Sequence, residues 1–164
     1  MTTATELKQN SLFSARNMSF LVIFLAILVS GYLSYLKVDT SAHAVCVPGE
    51  IFDCGTVLNS VYSEILGVPI AWLGLGLNLV VLALLILETR VSFFAQYSVP
   101  IIFGILLFAF LFSVYLVYVQ AFLITKYCPW CLTHELLITI VFAISVKRLM
   151  DWLNTGSSIE QVSD

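Results

Sequence analysis

Apolar residues fall into four long runs separated by polar stretches. The runs are Met18–Leu36, Pro69–Leu87, a third from Tyr97 or Pro100 to about Ala121, and Cys131–Val146, entered at Pro129. Each lies near the roughly 20 residues that an α-helix needs to cross a bilayer. The pattern predicts an all-α membrane protein, a bundle of four transmembrane helices. No charge interrupts the first three runs; the fourth, the shortest, carries His134 and Glu135 near its start. Between the first two runs lies the longest polar stretch, Lys37–Gly67, with a turn signal at Val47-Pro48-Gly49. Within it, Asp53–Leu66 reads as a short amphipathic helix with Val57, Leu58, Val61, Ile65 and Leu66 on its apolar face. Such a helix would lie on the membrane surface and cover the bundle mouth. Gly67 would stop it, and Pro69 would open the second span. The tails, Met1–Ser11 and Asn154–Asp164, are polar and read as disordered. The expected division is a tail over 1–15, a membrane domain over 16–148 and a tail over 149–164.

Composition strengthens the membrane reading. Hydrophobic residues make up 60% of the 164 and charged residues only 10%, with a mean hydropathy of +1.02. Soluble domains are about 25% charged. A net charge of -3 leaves no electrostatic footprint for nucleic acid. The first run exceeds the 7–15 or so apolar residues of a signal peptide, and the weak Ala42-His43-Ala44 site lies too far downstream, so it is expected to be retained. Of the seven Lys and Arg residues, Lys8, Arg16, Arg90, Lys147 and Arg148 fall on one side of the expected spans; Lys37 and Lys126 fall on the other. The positive-inside bias then puts both termini in the cytoplasm, as a multi-pass protein of the inner membrane. The Lys37–Gly67 loop and the junction before the fourth span face outward.

That outward face holds all four cysteines. Cys46 and Cys54 flank the Pro48-Gly49 turn, and Cys128 and Cys131 form Cys-Pro-Trp-Cys where the fourth helix begins. Residues three apart at a helix start are stacked, about 4.5 Å apart along the axis. The helix N-terminus stabilises a thiolate there, and Pro129 suits the first helical position. Cys128 would sit nearer water and Cys131 one turn deeper. The bland alternatives are inert thiols, a structural disulfide or a zinc site. The spacing of Cys46 and Cys54 is not of metal type, so no metal is expected. Alone, the loop pair would read as a structural staple. Beside a second pair on the same oxidising face, it reads as a shuttle.

Other residues carry weaker signals. Glu135 lies one turn below Cys131. An ionisable group within a span is a functional candidate, here a proton relay; the alternative is an interfacial carboxylate reaching water. Trp72 and Trp130 would stack on the ring of a lipid-soluble carrier or belong to the interfacial aromatic belt. Tyr115 and Tyr118 read as packing or lipid-facing residues. Gly74 and Gly76 would permit close helix approach. His43 shows no ligand partner.

Asp53-Cys54-Gly55-Thr56-Val57-Leu58-Asn59-Ser60, then Leu66-Gly67-Val68-Pro69-Ile70-Ala71-Trp72-Leu73-Gly74, then Cys128-Pro129-Trp130-Cys131, with Cys46 upstream, resemble the vitamin K epoxide reductase family, bacterial type. The resemblance runs from about residue 15 to residue 148. It implies a four-helix bundle around a quinone pocket near the outer surface. By that resemblance Cys46 would exchange with a thioredoxin-like periplasmic dithiol protein. Cys54 would attack Cys128, Cys131 would pass electrons to ubiquinone or menaquinone, and Ser60 would order the loop or stabilise an intermediate. Animal members hold the vitamin K oxygens with an asparagine near the position of Ile70 and a tyrosine near that of Glu135. The chain departs at both, which speaks against epoxide reduction. Many bacterial relatives carry a fused thioredoxin-like domain; here the partner is expected to be separate.

The expected activity is thus a quinone-dependent thiol–disulfide oxidoreductase supporting disulfide formation in exported proteins. Two rivals stay open. A disulfide-bond formation protein B type oxidase also has four spans and two cysteine pairs, but it places its Cys-x-x-Cys first. A membrane scaffold or small transporter with structural disulfides would show neither exchange nor bound quinone.

Overall fold

The structure, a computed structural model, describes residues 4–39, 51–90 and 92–160. His43, Cys46 and the Val47-Pro48-Gly49 turn lie outside the described residues. Four long helices carry the described fold: α1 (Ala4–Val38), α3 (Ile70–Arg90), α4 (Ser92–Tyr118) and α5 (Pro129–Glu160). Between α1 and α3 lies the five-residue helix α2 (Cys54–Leu58). Among the described residues, three apolar stretches are long enough to cross a bilayer: Ala15–Val38, Ile70–Glu88 and Tyr97–Ile124. They match the first three apolar runs. Pro100 sits inside α4, as the longer reading of the third run requires.

The helices pack α1 against α3 and α5, and α4 against α3 and α5. Each supplies residues to one core: Val22 and Ile23 from α1, Val81 and Leu85 from α3, Ile102 and Leu106 from α4, Val141 from α5. Many large apolar residues instead point outward, among them Phe24, Leu28, Leu79, Phe108, Leu111 and Leu136. In water such a surface would be costly; against lipid it is the expected exterior. One buried ion pair ties two helix ends: Arg148 Nη2 meets Glu88 Oε1 and Oε2 at 2.6 and 2.7 Å.

Two expectations are corrected. The predicted tails are helical as far as Ala4 and Glu160. Propagating an existing helix needs no new nucleus, and residues 4–11 contain neither Gly nor Pro to stop it. The predicted loop helix over Asp53–Leu66 is three separate pieces. Only Cys54–Leu58 is α-helical; Val61–Ser63 is one 3-10 turn, and β1 (Glu64–Ile65) pairs antiparallel with β2 (Val68–Pro69). Leu66 and Gly67 form the turn with φ of 53° and 81°, the doubly left-handed pattern of a tight hairpin. Val57 and Leu58 are buried as the helical pattern required, but Val61 and Leu66 are exposed.

The loop nonetheless sits on the bundle mouth. Lys37, in the last turn of α1, donates to the Leu58 carbonyl at 2.8 Å and pairs with Glu64 at 3.1 Å. Val57 and Leu58 pack with Leu33 and Leu36 in a second core at this end.

Candidate functional site

The second core contains sulfur. Cys54 and Cys128 are 1% and 0% exposed and share it with Leu33, Leu36, Val57 and Leu58; Cys131 packs against its edge. Two backbone devices bring these segments together. Phe52 and Tyr127 form a parallel bridge, in which the Tyr127 amide donates to the Ile51 carbonyl at 3.0 Å and the Asp53 amide to the Tyr127 carbonyl at 3.1 Å. Asp53 then caps α2: its Oδ1 accepts from the Thr56 amide at 3.0 Å and its Oδ2 from the Thr56 hydroxyl at 2.7 Å. These donations from Thr56 hold the Asp53 carboxyl below its ordinary value. Cys54 is therefore the first residue of a helix anchored beside the residue that precedes Cys128.

Cys128 caps α5. Its carbonyl accepts the first helical bond, from the Leu132 amide at 2.9 Å, and its sulfur accepts from the Cys131 amide at 3.2 Å. Pro129 occupies the first helical position, where no donor is needed. The Cys131 side chain foremost, with the Cys131 and Trp130 amides, holds the Cys128 thiol below its ordinary value although burial opposes the shift. The Cys128 amide donates in turn to Oε1 of buried Gln120 at 3.0 Å. Gln120 lies on a π-helical segment, Val119–Ile124, which continues α4 and ends at Thr125 in the left-handed region. Widened turns of this kind recur at functional sites.

The described sulfurs are in different states. Cys54 is disulfide-bonded, whereas Cys128 and Cys131 are free thiols. Cys46 lies outside the described residues.

Below the sulfurs, a cavity of about 380 Å³ opens between the loop and the four long helices. Its wall is mainly apolar. Of the residues singled out from sequence, Ser60, Ile70, Cys131 and Glu135 line it, with His134; Trp72 and Trp130 do not. Trp72 is half-exposed, and Trp130 packs edge-on to Tyr32 with ring centroids 4.8 Å apart. The Ser60 hydroxyl donates to the Val57 carbonyl at 2.9 Å, holding the end of α2. Buried Glu135 accepts a hydrogen bond from the Ser113 hydroxyl. Neither Gly74 nor Gly76 is demanded by close helix approach. A side chain at Gly74 would meet the His134 ring at an ordinary 3.8 Å, and Gly76 faces open space.

Sequence reading missed Ser30, Asn78, Ser113 and Gln120, all buried and all on the cavity wall. Each is a polar residue within an apolar helix, the signal that drew attention to Glu135 and that applied equally to them.

The helices define a polytopic membrane protein whose clustered sulfurs are held over an apolar, ligand-sized cavity. The match to the model of the vitamin K epoxide reductase family covers residues 18–146, and the chain belongs to that family. Members are membrane oxidoreductases that couple thiol–disulfide chemistry to quinones in general.

Proposed function

We propose that this protein passes electrons from a separate thioredoxin-like dithiol protein outside the cytoplasm, through its two cysteine pairs, to a quinone in the cavity. The observation that carries the reading is the enclosure of Cys54 and Cys128 in one buried cluster, with Cys131 on the wall of an adjoining apolar cavity. In the first exchange the partner dithiol reduces a Cys46–Cys54 disulfide and leaves as a disulfide. The Cys54 thiolate then attacks the Cys128 sulfur of a Cys128–Cys131 disulfide, forming Cys54–Cys128 and releasing the Cys131 thiolate. Attack of Cys46 on Cys54 restores the loop disulfide and frees Cys128. The result is a bonded Cys54 above two free thiols, the redox state of this structure.

The cavity residues fit a quinone: apolar walls suit ring and tail, and the polar groups of Asn78, His134 and the Ser113–Glu135 pair are few and localised. A quinone bound there would accept two electrons and two protons and leave as the quinol, matching the oxidation of Cys128 and Cys131 to their disulfide. Cys128, favoured as thiolate, supplies the attacking sulfur for that closure. Glu135 is the carboxyl group on the wall, placed to hand on a proton. With α5 as a fourth span, both termini would lie on one side of the membrane and the sulfurs on the other, and the charge bias is the support for the termini being cytoplasmic.

Replacement of Cys131 tests the order of exchange. Without Cys131 to close on, the Cys128 thiolate can react only backward, on Cys54 of the loop disulfide, so Cys131→Ala should accumulate a Cys54–Cys128 disulfide with Cys46 released as a thiol, seen by mass spectrometry of the alkylated protein. In intact cells an impermeant maleimide should label the residual free thiol once the loop is opened. A different cross-link, or labelling only after membrane rupture, would overturn the order or the sidedness.

A further inference from the structure

At the inner part of the cavity one amide is only half satisfied. Asn78 is 0% exposed and lines the wall. Its Nδ2 lies 3.4 Å from Ser30 Oγ and 3.1 Å from His134 Nε2. Its Oδ1, also buried, has no hydrogen-bond partner. A flip of the amide would exchange these roles, so the neighbours must decide the orientation. Ser30 decides it. Its hydroxyl proton is committed to its own helix, donating to the Ala26 carbonyl at 2.8 Å and the Ile27 carbonyl at 3.2 Å. Toward Asn78, Ser30 can then only accept, so the facing atom is the donor, Nδ2. His134 Nε2 must likewise accept, which assigns the neutral ring proton to Nδ1. Both Nδ2 protons are used. Of the polar atoms of this wall residue, only the acceptor Oδ1 is then left without a partner.

A buried acceptor without a donor is costly, and a ligand hydroxyl relieves it where a ligand carbonyl cannot. We propose that Asn78, locked by Ser30 and His134, is a positioning residue that holds a ring hydroxyl, so that the cavity binds the reduced quinol in preference to the oxidised quinone. The proposal rests on the quinone reading above and adds which redox form the cavity holds more tightly. Preferential binding of the product form makes bound quinone easier to reduce than free quinone, favouring electron flow out of Cys128 and Cys131.

The test uses the full-length Cys128→Ser protein, which cannot close the Cys128–Cys131 disulfide, so no turnover disturbs the equilibrium. Dissociation constants are measured for a short-chain benzoquinone and for its hydroquinone under anaerobic conditions. The hydroquinone should bind about tenfold more tightly, the effect of one hydrogen bond to an otherwise unsatisfied buried acceptor. Asn78→Leu should remove the preference. Ser30→Ala, a milder change, should reduce it by freeing the amide to turn its donor to a carbonyl. Nitrogen chemical shifts should also place the His134 proton on Nδ1 without any ligand. Equal affinities, a preference that survives in Ser30→Ala, or a proton on Nε2 would overturn the proposal while leaving the quinone reading intact. Binding of neither form would overturn both.

Discussion

Asp53 joins the loop to the site through a single side chain. As N-cap of α2 it orients the helix whose first residue is Cys54. Asp53→Ala should loosen the loop by about 1 kcal/mol, or less because the carboxylate is largely solvated. Hydrogen exchange of the Cys54–Leu58 amides reads that loss; unchanged protection would remove Asp53 from this role. The pH dependence has a defined sign. The folded value lies below the unfolded one, so the contribution is complete above the unfolded carboxylate value of about 3.9. It disappears as pH falls through the lower folded value, and Asp53→Ala should lack that transition. Glu135 carries the second prediction at this scale. Glu135→Gln keeps the shape and the Ser113 contact but cannot carry a proton. It should slow quinone reduction by about 10²–10⁴, with the exchange between Cys54 and the partner dithiol preserved. Stopped-flow traces of the two half-reactions distinguish this from a packing defect, which would slow both.

Among the elements, the apolar runs were the legible part, because a membrane helix must satisfy its backbone internally and clothe itself in apolar side chains. The Cys-Pro-Trp-Cys helix start was legible for a similarly local reason. The hairpin was not. Val61, Ile65 and Leu66 fall at helical spacing, and the Leu66-Gly67 turn that overrides it has a non-glycine residue at positive φ, which weakens its sequence signal. The Phe52–Tyr127 bridge and the Asn78–His134 contact join positions far apart in sequence, so no window on the chain contains them. The π-helical segment was likewise invisible, since one widened turn leaves no apolar period of its own. Its Gln120 yields a prediction. Gln120→Leu strands the buried Cys128 amide and should cost about 1–3 kcal/mol, read as a lower melting temperature and slower Cys54–Cys128 exchange. Gln120→Glu, which retains an acceptor, should restore much of both. Equal loss in the two variants would make Gln120 a space-filling residue.

For the whole molecule, the bundle is fastened differently at its two ends. At the loop end, α1 is tied through Lys37 to a segment held mainly by short contacts. At the other, Arg148 of α5 grips Glu88 of α3 with both partners largely buried. Removing one charge strands the other, so Arg148→Met should destabilise the protein by about 3–5 kcal/mol. Glu88→Met together with Arg148→Met should recover most of that loss in detergent unfolding. A double variant no better than the single would show that the pair itself, rather than the stranded charge, sustains the bundle.

The burial of Cys54 and Cys128 has a consequence for leakage. Neither sulfur presents surface to a dissolved molecule, so a small thiol drifting past the membrane finds no contact point on either. In the relay proposed above, these two sulfurs are insulated in the electrical sense. Reducing equivalents have no direct entry at Cys54 or Cys128 from the surrounding pool, so a current through them would have to begin at another sulfur.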